Sequence, residues 1–279
     1  MTPLRKSSIL VRMEAKWHGF WGRGLRAKHR IWARYILSFI WSLPYIYGNR
    51  KLSAKDIPVI INSFNRITSL RKLIGWLERA GFDEIIIIDN SSTFPPLLQY
   101  LRESSHRVIY GPNGGPYALW KNKVLWHYIR NRFYIYTDAD VVPDEECPLN
   151  LPQRMFEILI SNIAAQKIGL GLRIDNLPNS YAKKAHVIAW ESKYWQNEIA
   201  TGVFIAPVDT TFALYRPFSA GWESNALRTG FPYVALHTPW YENSASPSDE
   251  DLYYYNTVMK GASTWSDGFG VAQVPANCS

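Results

Sequence analysis

Cysteine is scarce in this sequence, and its scarcity excludes two classes of site. Cys147 and Cys278 are the two cysteines among 279 residues. Two cysteines so far apart form neither a disulfide framework nor a zinc site built from Cys and His. A chain that does not depend on disulfides suits a reducing compartment, so we expect a cytoplasmic location.

Long apolar runs are also missing, and acids are scarce in the N-terminal part of the sequence. The charge-free run over residues 35–48 has 14 residues, whereas a helix that spans a bilayer needs roughly 20. Residues 1–51 contain 11 Lys and Arg but one acid, Glu14, which leaves a charge of +10 there and −2 over the remaining 228 residues. The basic excess therefore belongs to an N-terminal segment, residues 1–52, that differs from residues 53–279.

This N-terminal segment alternates cations with large apolar side chains, among them Trp17, Trp32, Ile36 and Trp41. Cations bind anionic headgroups and Trp favours the interface, so the pattern predicts a basic amphipathic helical segment on an anionic membrane surface. We expect a peripheral protein on the inner face of the plasma membrane. The alternative is a basic helix that packs on the domain or on a partner chain. Nucleic acid is not an expected partner, because the rest of the chain is slightly acidic.

The body of the chain begins with alternating strand and helix patterns. Residues 57–63, 84–88, 107–110 and 133–138 are apolar runs typical of buried strands, with helical periodicity or turns between them. This alternation predicts an α/β fold with a parallel sheet, in which ligands bind beyond the carboxyl ends of the strands. The polar residues at those ends are Asn62, Ser63, Asn65, Arg66, Asp89, Asn90, Asn113, Asp138 and Asp140.

Two Asp-x-Asp motifs occur, and their contexts differ. Asp138 and Asp140 end an apolar, aromatic strand, where paired carboxylates are typical of a Mg²⁺ or Mn²⁺ site that keeps positions open for phosphate oxygens. Asp249 and Asp251 follow Ser248 and precede an aromatic run. Acids at that position predict an N-terminal helix cap.

Four elements in order carry a family resemblance. They are Ser63-Phe64-Asn65-Arg66 after the first strand, Ile88-Asp89-Asn90-Ser91-Ser92 after the second, Asn113-Gly114-Gly115 with Asn122, and Thr137-Asp138-Ala139-Asp140. With these elements the chain resembles the GT-A nucleotide-sugar glycosyltransferases, particularly the family 2-like group, over about residues 56–143. The resemblance implies a Rossmann-like mixed sheet flanked by helices. Residues 53–143 would then form the nucleotide-sugar-binding half, and residues 144–279 the acceptor-binding half.

The resemblance also implies roles for single residues. Those assigned to the nucleotide sugar are Ser63, Phe64, Asn65, Arg66, Asp89, Asn90, Gly114, Gly115 and Asp138. Asp89 would accept a hydrogen bond from the imide N–H of a uracil-like base, which favours a UDP-sugar. Asp138 and Asp140 would hold the metal, which His237 at the end of a late strand would complete. Taken singly, Asp89-Asn90 and Gly114-Gly115 also fit plain turns.

The general base is less clearly indicated, because no Glu-Asp pair follows at the usual place. Asp209, between two apolar runs, is the first candidate, and Glu191 and Glu223 are the reserves. A turn formed by Asp209 with the threonines after it is the alternative.

Together with these patterns, the resemblance implies a metal-dependent glycosyltransferase that moves a sugar to a glycan or lipid-linked acceptor, in envelope polysaccharide or glycolipid synthesis. One rival is a haloacid dehalogenase-like phosphatase with Asp138 as nucleophile and Asp140 as acid and base. Such a motif normally opens its domain, whereas three strands precede it here. A sugar nucleotidyltransferase would need a glycine-rich basic loop that Ser63-Phe64-Asn65-Arg66 lacks. A catalytically silent adaptor on the membrane surface is the third alternative.

Overall fold

The computed structural model describes residues 25–48, 51–209, 211–221 and 225–258. It confirms the predicted α/β class, because a mixed sheet of ten strands lies between two layers of helices. The helices are α1 (Leu25–Ile46), α2 (Ile67–Arg79), α3 (Pro95–Glu103), α4 (Ala118–Lys121), α5 (Lys123–Ile129), α6 (Leu151–Ser161), α7 (Lys184–Glu191) and α8 (Asp249–Thr257). The strands are β1 (Val59–Ser63), β2 (Ile85–Asp89), β3 (Arg107–Tyr110), β4 (Tyr134–Asp138), β5 (Val141–Pro143), β6 (Lys167–Leu172), β7 (Glu198–Ala200), β8 (Val203–Ile205), β9 (Ala213–Tyr215) and β10 (Ala226–His237).

The sheet is parallel on one side and mixed on the other. Its order is β3-β2-β1-β4-β9-β6-β10-β8-β7, with β5 paired to β10. The first four of these strands run parallel, as the strand-helix alternation predicts. Strand β9 then pairs antiparallel with both β4 and β6, and so joins the parallel part to the rest of the sheet.

Both faces of the parallel part are buried by apolar side chains that alternate along each strand. In β2, Ile85 and Ile87 join the larger core with α2, α3 and α6, while Ile86 and Ile88 join a second core with α4 and α5. A strand covered on both faces needs a continuous apolar sequence, which is why Ile-Ile-Ile-Ile suits this position. The core therefore holds the carboxyl ends of these strands at a fixed edge.

Several element boundaries differ from the sequence predictions for identifiable reasons. The periodicity of residues 117–129 predicts one helix, but the structure divides it at Asn122. The side chain of Asn122 accepts a hydrogen bond from the backbone N–H of Leu125 and so begins α5. The apolar run over residues 233–237 predicts a short last strand, but β10 begins at Ala226. Its first residues pair with β6 on one side and with β8 on the other. The predicted cap at the second Asp-x-Asp motif is confirmed, since Ser248 and Asp251 form a reciprocal capping box on α8.

Helix α1 packs on the domain through its C-terminal half. The ring of Tyr45 contacts Phe133 and Phe156 edge-on, at centroid distances of 5.3 and 5.4 Å. Ser42 is buried and accepts a hydrogen bond from Arg216. Other positions on the helix leave large apolar side chains exposed: Trp32, Ile36, Leu37, Phe39, Ile40 and Trp41. Among the described residues, no helix combines the length and the apolar character that crossing a bilayer requires.

Substitution of a glycine in the sheet, compared with one in a helix, tests how tightly the central sheet is packed. A methyl group on Gly171 in β6 would lie 2.5 Å from the carbonyl oxygen of Thr229, whereas one on Gly75 in α2 would meet only Arg79, at 3.7 Å. Gly171→Ala should therefore lower the free energy of unfolding by about 1–3 kcal/mol. Gly75→Ala should raise it by about 0.5–1 kcal/mol, because alanine is the better helix former. Urea unfolding monitored by circular dichroism measures both changes, and equal effects would contradict this packing.

Candidate functional site

A cleft of about 590 Å³ opens beyond the carboxyl ends of β1, β2 and β4. The parallel register aligns these ends, since Asn62 pairs with Asp138 across β1 and β4, and Ser63 pairs with Asp89 across β1 and β2. This is the edge at which a parallel α/β sheet binds ligands. The predicted convergence of the strand ends is therefore present.

Two asparagine side chains connect the strand ends to the glycine loop. The amide of Asn62 donates to the Oδ1 of Asp138 at 2.9 Å, and that of Asn90 donates to the carbonyl oxygen of Gly115 at 3.2 Å. Asn90 also accepts a hydrogen bond from the backbone N–H of Gly114 at 2.6 Å. Gly115 has φ +62, and a Cβ on Gly114 would lie 2.8 Å from the backbone of Ala118. Both glycines are therefore required by the turn itself.

Two residues predicted to contact the nucleotide sugar lie behind the cleft wall. Asp89 is buried and its Oδ1 accepts a hydrogen bond from the backbone N–H of Ser92 at 3.2 Å. Asn65 has φ +48, and its Oδ1 accepts from the backbone N–H groups of Thr93 and Phe94. Both residues bind backbone N–H groups of residues 92–94, in the loop after β2. Neither is among the described residues that line the cleft. A contact of Asp89 with a base stays a prediction.

Arg66 joins the cleft to the C-terminal helix. Its side chain is 4% exposed and donates to Glu242 at 2.6 Å and to Asp251 of α8 at 3.1 Å. The guanidinium carbon lies 4.1 Å from the centroid of the Tyr254 ring, and the Nε lies 3.8 Å from the Oδ2 of Asp140. Burial raises the pKa of Glu242 to about 7, against the opposing effect of Arg66. Arg66 is therefore a buried structural cation that also faces one of the candidate metal ligands.

Asp140 and His237 are brought together because β5 pairs with β10. Strand β5 follows the Asp-x-Asp motif and runs antiparallel to β10, with Val141 opposite His237. The backbone N–H of Thr238 also donates to the carbonyl oxygen of Asp140 at 2.9 Å. The Nε2 of His237 consequently lies 3.9 Å from the Oδ2 of Asp140. Burial lowers the pKa of His237, which favours the neutral imidazole that a metal binds.

The donor set fits a divalent cation in chemistry but is incomplete in geometry. A carboxylate and a neutral imidazole suit Mn²⁺, and a separation of 3.9 Å suits two ligands of one ion. Asp138 ends β4, which precedes β5 in the chain, and lines the same cleft. Among the described residues, however, no group of three or more His, Cys, Asp or Glu side chains is close enough to hold a metal. Oxygen atoms of a substrate would have to complete the coordination.

The opposite wall of the cleft holds a buried ion pair. Glu191 at the end of α7 accepts a hydrogen bond from the Nη1 of Arg228 at 2.8 Å, and both side chains are about 95% buried, with exposures of 6% and 5%. Burial raises the pKa of Glu191, although the charge of Arg228 opposes this shift. The guanidinium of Arg228 also lies over the ring of Tyr194, 4.3 Å from its centroid. Because Glu191 is almost fully buried and one of its carboxylate oxygens binds Arg228, it is better suited to holding this wall than to acting as a base.

Asp209 is the predicted base that the structure brings into the cleft with an exposed side chain. It lies in the loop between β8 and β9, close enough to influence the ionisation of both His237 and Tyr215. Glu223, the second reserve, lies outside the described residues. Asp209 therefore lines the cleft near His237.

Sequence reasoning identified part of this site. The predicted residues that line the cleft are Phe64, Arg66, Asn90, Gly115, Asp138, Asp140, Glu191, Asp209 and His237. Those that stand behind it are Ser63, Asn65, Asp89 and Gly114. Trp190, Tyr194 and Arg228 also line the cleft and were not predicted. A lone arginine within the apolar run of β10 was a usable indication for Arg228, whereas nothing in the local sequence marked Trp190 or Tyr194.

Comparisons with known proteins find similarity in solved structures. No protein-family model matches the sequence, and no curated protein matches it. A structure described as a mycobacterial protein matches at 12% identity and a TM-score of 0.40, over 68% of each chain. Glucosyl-3-phosphoglycerate synthase from Mycobacterium tuberculosis, in complex with Mn²⁺ and UDP-glucose, matches at 15% identity and a TM-score of 0.35, over 63% of this chain and 60% of that one. CMP:2-keto-3-deoxy-manno-octonic acid synthetase with CTP matches at 10% identity and a TM-score of 0.33, over 69% and 79%. At these identities the likeness concerns the α/β fold alone.

Proposed function

We propose that this chain is a metal-dependent glycosyltransferase of the family 2-like GT-A group. It would move a sugar from a nucleotide-diphosphate sugar, with a UDP-sugar favoured, to a hydroxyl group of a glycan or lipid-linked acceptor. The observation that carries the proposal is the pairing of Asp140 with His237 at the strand edge, 3.9 Å apart, next to the end of β4.

The charge of the cleft supports a requirement for a cation. Its described lining contains four carboxylates, on Asp138, Asp140, Glu191 and Asp209, and two guanidinium groups, on Arg66 and Arg228. Both guanidinium groups already contact carboxylates at 3.1 Å or less. A diphosphate would be repelled by this net negative lining unless a divalent cation came with it. The arrangement therefore favours binding of the donor together with its metal.

In this proposal Asp140 and His237 would bind Mn²⁺ or Mg²⁺ from the protein side. Asp138, which the sequence also assigns to the metal, lines the same cleft and would have to move closer to become a third ligand. When bound, the ion would neutralise the charge that develops on the diphosphate leaving group. Asn62 keeps the Asp138 carboxylate oriented through its 2.9 Å hydrogen bond. Phe64, Asn90 and Gly115 border the same end of the cleft and would contact the nucleotide.

Asp209 is the proposed general base. It would accept the proton of the acceptor hydroxyl as that oxygen attacks the anomeric carbon, and a single displacement of this kind inverts the anomeric centre. Trp190 is 47% exposed and lines the cleft with Tyr194, so these rings can pack on the apolar face of an acceptor sugar. Residues 53–143 would then serve mainly the donor and residues 144–279 the acceptor.

The N-terminal segment, residues 1–52, is the proposed membrane contact, on the cytoplasmic face. Its described part keeps Trp32, Ile36, Ile40 and Trp41 each at least 46% exposed although α1 is packed on the domain. Exposed aromatic and aliphatic side chains next to a strongly basic segment suit an anionic interface. A lipid-linked acceptor and a role in envelope polysaccharide or glycolipid synthesis would be consistent with that location.

The second Asp-x-Asp motif offers a matched control for the metal site. Asp140→Asn should abolish Mn²⁺-dependent binding of UDP and donor turnover, because an amide is a poor ligand for a hard cation. Asp249→Asn changes an exposed acid in the first turn of α8 and should leave both unchanged. Calorimetric titration with UDP, with and without Mn²⁺, measures the difference. Full Mn²⁺-dependent binding by Asp140→Asn would refute the metal assignment.

Variants of Asp209 and Glu191 distinguish the proposed general base from an acid with a structural role. Asp209→Asn should lower kcat for donor turnover by about 10²- to 10⁴-fold while UDP binding stays within about twofold, as expected for loss of a general base. Glu191→Gln disrupts the pair with Arg228 and should mainly lower the melting temperature. Steady-state kinetics and thermal unfolding on both variants check this. The assignment is wrong if Glu191→Gln shows the larger loss of kcat at an unchanged fold.

Membrane binding can be tested with one charge in α1. Ile40→Asp should lower binding to vesicles that contain phosphatidylserine, because it places a carboxylate on the exposed apolar side of the helix. Val124→Asp introduces the same charge at an apolar side chain of α5 that is 77% exposed, and should have little effect. Vesicle flotation measures both. Equal binding by the wild type and Ile40→Asp would count against this contact.

A further inference from the structure

A fully buried lysine lies beneath the wall of the cleft that carries Asp209. Lys167 begins β6 and has 0% exposure. Its Nζ donates to the carbonyl oxygen of Val208 at 2.6 Å and to that of Gly221 at 3.1 Å. Lysine is almost never fully buried unless its ammonium group is satisfied, so a buried lysine needs a reason.

Both carbonyl groups belong to segments that line the cleft. Val208 immediately precedes Asp209 in the β8–β9 loop, and Gly221 follows β9. A Cβ on Gly221 would lie 2.4 Å from the ring of Trp120, so this second segment packs closely on that ring. One ammonium group therefore connects two separate stretches of the cleft wall.

The loop that carries Asp209 is held at two consecutive carbonyl groups. Arg228 donates from its Nε to the carbonyl oxygen of Pro207 at 2.8 Å, and Lys167 binds the next carbonyl, that of Val208. The side chain of Val208 also lies directly on β6, since a Cβ on Gly169 would approach it to 2.6 Å. The backbone that leads into Asp209 is therefore fixed by two buried cations and one close side-chain contact.

A second buried cation in the same sheet provides a comparison. Lys167 pairs in register with Tyr215, and the next residue, Arg216, points to the other face of the sheet. Arg216 is also buried and donates to main-chain carbonyls, those of Ala165 and Leu159, and to the side chain of Ser42. Burial lowers its pKa to about 10. Arg216 thus connects α1 and α6 on the face away from the cleft, with the same kind of bonding.

We propose that Lys167 is a positioning residue for the reaction, which holds the Asp209 carboxylate at the distance from the acceptor hydroxyl that proton transfer requires. The inference rests on the proposed function, because it assigns Asp209 its catalytic role. The reason is geometric: an error of about 1 Å in the placement of a catalytic group can cost roughly 10²-fold in rate. Lys167 itself does not touch the substrate.

The test compares two variants that remove a buried cation. Lys167→Met should lower kcat for donor turnover roughly 10- to 100-fold while Mn²⁺-dependent binding of UDP stays within about twofold. Its amide hydrogen exchange should rise in peptides that cover residues 206–209 and 219–221. Arg216→Met should lower the melting temperature but leave kcat and the exchange of those peptides unchanged. Lys167→Gln, which keeps a polar donor in the core, should give the same split and serves if Lys167→Met does not fold.

Unchanged exchange in both peptides, or a loss of kcat no larger than that of Arg216→Met, would overturn the role of Lys167. Failure of the proposed function gives a different result, because the wild type itself would then show neither Mn²⁺-dependent UDP binding nor donor turnover. In that case the exchange of the two peptides alone decides whether Lys167 holds the loop.

Discussion

The pairing of β10 with β5 is the interaction on which the candidate site depends. It lays the end of a strand from the second half of the chain against the turn that follows Asp138, and so places His237 beside Asp140. The two side chains are almost a hundred residues apart in sequence, and this strand pairing is what places them next to each other. Strand β9 contributes to the arrangement because it lies between β4 and β6, pairs with both, and fixes the distance between the two parts of the sheet.

Buried cations are the second recurring feature of this structure. Arg66, Lys167, Arg216 and Arg228 are all at most 4% exposed when the whole residue is counted. Arg66 and Arg228 bind carboxylates, whereas Lys167 and Arg216 bind main-chain carbonyls of segments that lie outside regular strands or at helix ends. Irregular backbone that is buried needs hydrogen-bond partners, and long cationic side chains supply them across distances that short side chains cannot span. Lys167 and Arg228 hold the backbone around the cleft in this way, and Arg216 does the same on the other face of the sheet.

The fold was largely readable from the sequence, and the reasons are local. Four apolar runs separated by helical periodicity specify buried strands with crossovers, and polar residues at their ends must meet at one edge. The helix cap at Ser248 and Asp251 followed from its position before an aromatic run. The boundaries that differed have tertiary causes: Asn122 ends one helix and begins another through its own side chain, and β10 extends because β6 and β8 lie beside it.

The sequence by itself determined the α/β class, the edge of the sheet at which Asp138 and Asp140 lie, and the contrast between a basic N-terminal segment and a slightly acidic body. These properties depend on periodicity and charge, which are local along the chain. Only the tertiary structure decided that Asp89 and Asn65 face inward and that Arg228 forms an ion pair with Glu191. The burial of Lys167 under the loop that carries Asp209 was decided in the same way. Such outcomes depend on which segments pack together and on which polar groups their burial leaves to be satisfied, and a residue's sequence neighbours do not encode that.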